Sequence, residues 1–132
     1  MSFRRRAGTG LFAVLMAFAV TPTLVTPAEA AVHDCRVSGD RAVCAYVTGI
    51  DAGSWLNMRT GPGYGYADMP YGRLNNGAEV GLKCWSTGDG AADNPHSRYW
   101  MYIDTGVRAG WVNDWYLDTG DPAVWQQRIP HC

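Results

Sequence analysis

Four cysteines, Cys35, Cys44, Cys84 and Cys132, and three histidines, His33, His96 and His131, carry the chain's most reactive side chains. Thiolates and imidazoles at short spacing would hold zinc, but no Cys-x-x-Cys pair exists and the histidines lack ligand spacing. Neither a Gly-x-Ser-x-Gly elbow nor a His-Glu-x-x-His motif is present, so acyl transfer and zinc proteolysis have no local signature. Asp89 and Asp93 share one polar stretch, without the glycine-and-glutamate pattern of a calcium loop. His33 and His131 fall in terminal segments and His96 in that polar stretch, all reading as solvated surface residues. The expectation is a non-enzymatic domain with no metal and no cofactor.

The excess lies in aromatic surface. Six Trp and seven Tyr are more than the core of a domain of about a hundred residues encloses. Some must stand partly exposed, where an amphipathic ring makes a good contact surface. Tyr64 and Tyr66, on a glycine-rich loop, are the expected exposed pair.

An even number of cysteines in an exported chain reads as two disulfides, leaving no thiol for catalysis. Four cysteines allow three pairings. Cys35–Cys44 is expected to close a hairpin around Ser38-Gly39-Asp40, and Cys84–Cys132 to pin the C-terminal tail to the body. Export is read from residues 1–30, which have the form of a secretory signal peptide. Arg4, Arg5 and Arg6 form its positive start, and the apolar run from Leu11 to Val20 is too short for a membrane span. Ala28-Glu29-Ala30 fits the cleavage pattern, making Ala31 the expected new N-terminus. The arginines leave both general and twin-arginine export open. His33 and Asp34, before the first cysteine, do not resemble a lipidation box.

Of 11 basic and 12 acidic residues, the leader removes three arginines and Glu29. The formal charge of the remainder is then −3. A mildly acidic chain with one lysine, Lys83, is no general nucleic-acid binder and has no polybasic patch for anionic membranes. All three Phe lie in the leader, so the mature domain is rich in Trp and Tyr alone.

The elements that must position these residues are short. No stretch after the leader has a helical stripe, and glycine recurs between short aromatic or β-branched segments, as in a small all-β domain. Strands are expected at Val43–Val47, Trp55–Arg59, Ala78–Trp85, Arg98–Asp104 and Ala109–Val112. Thr60–Tyr66 is a loop because three glycines and a proline forbid a regular ladder. Asn75-Asn76-Gly77 is a tight turn, and Thr87–Ser97 a long polar loop. Asn113-Asp114-Trp115 suits a 3₁₀ turn, with a last short strand at Tyr116–Asp118. In Ala78–Trp85, Val80, Leu82 and Cys84 alternate with Glu79, Gly81 and Lys83, predicting one apolar face. Leu56 and Met58 are expected to face the core, and Asn57 and Arg59 the other side. Asn57 can tie the following turn, and Arg59 can bind loop carbonyls or a carboxylate. Trp111 and Leu117 are expected in the core.

Trp55-Leu56-Asn57-Met58-Arg59-Thr60-Gly61-Pro62-Gly63 resembles the Leu-Asn-Val-Arg-Ser-Gly-Pro signature of bacterial SH3 (SH3b) domains. Gly72–Val80 resembles the family's Gly-x-Leu-x-x-Gly-x-x-Val segment, and Tyr99–Ile103 its Trp-x-x-Ile/Val strand. Gly110–Leu117 resembles its closing Gly-Trp-Val-x-x-x-Tyr-Leu. The four motifs occur in family order, and the disulfide to the last residue resembles exported actinobacterial members. The resemblance implies an SH3-like β-barrel at 53–118. An extension with the disulfide hairpin and first strand would precede it at 31–52, and a pinned tail would follow at 119–132. It also implies an aromatic groove between the glycine-rich loop and the closing turn. Asn57, Arg59, Tyr64, Tyr66, Asp68, Trp115 and Tyr116 are its candidate ligand-binding residues. The implied partner is peptidoglycan, with Arg59 or Asp68 orienting a charged group on its peptide. The alternative is a secreted or cell-surface protein, for which the domain would act as an inhibitor or accessory subunit. The expected state is a secreted or cell-wall-associated monomer without a membrane span.

Overall fold

A computed structural model of the protein describes residues 19–23 and 30–132. Nearly all of the expected signal peptide lies outside the described residues. The described residues are all-β, with seven strands in one antiparallel sheet ordered β1-β2-β5-β6-β7-β3-β4. The strands are β1 (His33–Val37), β2 (Asp40–Tyr46), β3 (Leu56–Arg59), β4 (Asp68–Leu74), β5 (Glu79–Thr87), β6 (Tyr99–Asp104) and β7 (Ala109–Asn113). The ladder does not close: β1 and β4 stand at its two edges.

Both expected disulfides are present. Cys35–Cys44 ties β1 to β2 across a two-residue turn. Ser38 and Gly39 both take positive φ there (51° and 89°), the geometry that matches the twist of a tight hairpin. Cys84–Cys132 joins β5 to the last residue. Around it the tail lies alongside β5, with Trp85 N–H donating to Pro130 O (3.0 Å) and Cys132 N–H to Trp85 O (2.9 Å).

The tail is more ordered than its two prolines suggested. Asp121 caps a single helical turn, α1 (Pro122–Trp125), its carboxylate accepting from Ala123 N–H at 2.9 Å. Proline at the first helical position lacks only a donor that has no partner there. The turn drives Trp125 and Ile129 into the core, both essentially inaccessible. Trp125 meets the edges of Trp85 and Tyr99 at 5.7 and 5.4 Å between ring centres.

Leu56 and Met58 are buried, and Asn57 and Arg59 half-buried, as the alternation in β3 required. Three expectations are corrected. In β5, Val80, Gly81 and Leu82 are all buried, because Val37 of the hairpin covers Gly81 from the second face. A bulge between Leu82 and Cys84 then shifts the phase. The last strand reduces to one bridge, Val47 to Leu117; the 3₁₀ turn η1 (Asp114–Tyr116) uses up the neighbouring residues. Leu117 is buried, but Trp111 is only half-buried. It leans on Tyr102, 5.4 Å away on the same outer face of β6 and β7.

Candidate functional site

The loops at one end of the sheet fold over each other and leave a cleft of about 210 Å³. The segment before β3 supplies Ile50, Asp51, Ser54 and Trp55. The β3 outer face supplies Asn57 and Arg59, and the glycine-rich loop supplies Tyr64. Asp93 comes from the long polar loop, and Trp100, Asn113 and Tyr116 complete the lining.

Arg59 is the clasp of the glycine-rich loop. Its Nη1 donates to the carbonyls of Tyr64 (3.3 Å) and Tyr66 (3.0 Å). Its Nη2 pairs with Asp68 Oδ1 at 3.1 Å. Asn57 Nδ2 donates to the other oxygen of Asp68 at 3.2 Å. A planar fork of donors suits this set of acceptors, which a single ammonium could not span. Asn57, Arg59 and Asp68 therefore first build the cleft, and only their remaining faces are offered to a ligand.

Tyr64 is held from three directions. Its hydroxyl accepts from Ala92 N–H at 2.9 Å. Its ring meets Trp100 in a T-shaped contact, 5.3 Å between centres. The Arg59 guanidinium lies 4.8 Å from the ring centre. The long polar loop is fastened by the same group of residues. Asp89 Oδ2 accepts from Tyr64 N–H (2.8 Å), and Asp89 O accepts from the Trp100 indole (2.8 Å). Arg98 Nε donates to Gly88 O at 2.8 Å. Asn113, almost wholly buried, donates to Ser97 O at 3.0 Å.

Opposite Tyr64, the Tyr116 hydroxyl donates to Asp93 Oδ2 at 2.6 Å. Burial, and then the Asp93 carboxylate, push this phenol up, so it stays a neutral donor at ordinary pH. Asp89 and Asp93 thus spend their carboxylates on loop closure. Among the described residues no cluster of three or more His, Cys, Asp or Glu could hold a metal ion.

Four of the seven candidate residues line the cleft: Asn57, Arg59, Tyr64 and Tyr116. Asp68 stands behind it as the partner of Arg59 and Asn57. Tyr66 is half exposed but lies outside the cleft: its ring is laid against Gly61, where any Cβ would strike it. Trp115 is also half exposed (49%), yet it faces the far side of the closing turn. Within the turn η1, Tyr116 lines the cleft while Trp115 lines a separate groove on the other side.

Sequence reasoning placed Trp55 in a strand and gave it no other role. The structure puts it just before β3, 43% exposed at the cleft mouth. The Arg73 guanidinium stacks on it, 3.8 Å from its ring centre. A bulky apolar residue directly before an alternating strand was the available signal. Asp51 and Ser54 carried none, since their approach depends on the turn at Asp51–Ser54, closed by Ser54 N–H to Asp51 O at 3.0 Å.

The fold and cleft define an all-β, doubly disulfide-bonded domain with an aromatic-walled cleft at its loop end. No family model, curated protein or solved structure matches the chain. No helix among the described residues is long and apolar enough to cross a membrane.

Proposed function

We propose that this is a secreted, non-catalytic domain with an SH3-like barrel, which binds the peptide portion of cell-wall peptidoglycan in the cleft. One observation carries the reading. Trp55, Tyr64 and Tyr116 surround a floor of polar groups, Asn57, Arg59, Asp93 and Asn113, in a single recess. Rings give contact area at low entropic cost, and convergent polar groups orient a short peptide. A recess of about 210 Å³ admits one or two small residues, whereas docking a folded protein needs a broad surface. Two disulfides suit an oxidising compartment outside the cytoplasm, where wall polymers are abundant partners. The four sequence motifs resembling SH3b domains support the proposed barrel and ligand class, beside a sheet that is open at β1 and β4.

The test is retention of the oxidised domain on purified peptidoglycan, compared with Trp55→Ala and Tyr64→Ala. Wild type is expected in the pellet and both variants largely in the supernatant, since an anchoring aromatic contributes about 2 kcal/mol or more. Wild-type protein left in solution, or variants retained equally, would sink the proposal. Retention by an exported protein without retention by the wall would favour the protein-interaction alternative.

A further inference from the structure

A second groove lies on the far side of the closing turn. It measures about 440 Å³ and shares no lining residue with the first cleft. Tyr99, Trp115, Leu117 and Pro122 form its apolar walls, with Asp114 and Thr119 among them. Trp115 leaves 49% of its surface open, although it sits beside a large apolar wall.

Asp114 is the unusual residue. It is nine-tenths buried (9% exposed), and its Oδ1 accepts from Thr119 Oγ1 at 2.7 Å. Oδ2 makes no hydrogen bond among the described residues, yet it is not sealed from solvent. Among the described residues lining the groove there is no lysine or arginine, and His96, exposed, is the one group able to carry positive charge. A carboxylate buried this far is normally paired, because an unpaired charge at low dielectric is costly. Here the pairing partner is missing on one oxygen only, and that oxygen belongs to a residue lining the groove. One open oxygen suits a compact point charge. A guanidinium seeks both carboxylate oxygens at once, and Thr119 already occupies one. A neighbouring indole face favours the same kind of ligand through cation–π attraction and contact with a methylene stem.

We propose that this groove binds a primary alkylammonium group, with its –NH₃⁺ on Asp114 Oδ2 and its stem against Trp115. The group can come from a free amine or from a lysine-type side chain on a peptide. The inference does not depend on the first cleft or on wall binding.

The experiment titrates the oxidised domain with n-butylammonium chloride, following the backbone amides of Leu117 and Thr119, which line the groove, by NMR. Arms with Nα-acetyl-lysine amide, n-butylguanidinium and n-butanol run beside it. Saturable binding of butylammonium in the millimolar range is expected, with guanidinium weaker and butanol inert. Asp114→Asn, which keeps an acceptor for Thr119, is expected to lose about tenfold or more in affinity. Trp115→Ala, an exposed site, is expected to lose several-fold, and Val107→Ala, exposed and outside both recesses, nothing. Tighter binding of the lysine amide would assign the ligand to a peptide side chain, and equal or weaker binding to a free amine; either supports the site. Butanol binding as well as butylammonium, Asp114→Asn retaining wild-type affinity, or no saturation would each overturn it.

Discussion

Replacing Asp114 by Asn should stabilise the protein at neutral pH and leave it unchanged in acid. Burial pushes the Asp114 carboxyl from its ordinary 3.8 up to about 6, and the Thr119 hydrogen bond recovers only part of that cost. The folded state therefore resists ionisation that the unfolded chain accepts. Below about pH 3.8 both states hold the proton and the residue carries no penalty. As pH rises through 3.8 toward 6 the unfolded chain releases its proton first, and stability falls. Above about 6 the loss is complete and constant. At about 1.36 kcal/mol per pH unit, a rise from 3.8 to about 6 amounts to about 3 kcal/mol. Asn cannot titrate, and its carbonyl can still accept from Thr119 Oγ1. The difference in unfolding free energy between Asp114→Asn and wild type then isolates this one carboxyl, since all other groups cancel. Urea denaturation with disulfides intact, at steps between about pH 3.5 and 7.5, measures it. The expected curve is near zero in acid and rises to about 3 kcal/mol, a gain of about 12 °C or more in Tm for a domain this size. A flat difference across the range would show that the carboxyl is well solvated in the folded state and would refute the reasoning.

Two further perturbations test what holds the fold and its cleft. Arg59→Lys removes the fork that reaches two loop carbonyls and Asp68. It should cost about 1–2 kcal/mol in urea denaturation and speed hydrogen exchange in the 60–66 loop, whereas Arg59 variants of unchanged stability would show the clasp to be idle. Replacing Cys84 and Cys132 together by Ser frees a tail that closes a 48-residue separation. Loop entropy sets the loss at about 4 kcal/mol at most, and Trp emission should shift to the red as Trp125 leaves the core. A blue-shifted spectrum identical to wild type would mean that the tail docks without its staple.

The sequence revealed most where a physical constraint acts locally. In β3 the alternation of Leu56 and Met58 with Asn57 and Arg59 reports the two faces of one strand. The polar members also have only a few uses in a half-buried place, and the partners found for Arg59 are of the two kinds expected of it. The hairpin disulfide followed from a nine-residue separation spanning a turn. Strand β4 was hidden, because Pro70 and Gly72 argue against a ladder. It sits at an edge, where a missing donor costs nothing, and Tyr71 there takes a positive φ of 57°. The tail helix had a readable start in Asp121-Pro122, but nothing local said that Trp125 would fill the core. The cleft itself was half legible. Asn57, Arg59, Tyr64 and Tyr116 came from motif and composition; Trp55 and Asp93 join them only because separate loops fold over one another. Trp115 was misplaced for another reason: the turn η1 presents it to the groove beyond the cleft, while Tyr116 lines the cleft, and nothing local in the sequence fixes which way each ring turns.

Under the proposed function, stability and recognition are coupled at the loop end, because the side chains that fasten the loops would also meet the ligand. Tyr64 is fixed by a hydroxyl acceptor, a ring edge and a cation before any ligand arrives. A wall set in advance has little rotamer freedom left to lose, so ligand contact yields more of its gross energy as affinity. This separates two roles for the ring. If Tyr64 only packs the loop, Asp89→Ala, which removes the acceptor of Tyr64 N–H from outside the cleft, lowers stability and leaves wall retention of the folded fraction unchanged. If Tyr64 is a contact surface, loosening its clasp also weakens retention of protein that is still folded, with faster dissociation as the main change. Comparing the dissociation rate of Asp89→Ala with that of wild type, without denaturant and at a temperature well below both melting points, decides between them. The second outcome is the one expected under the proposed function, with Tyr64 39% exposed and lining the cleft.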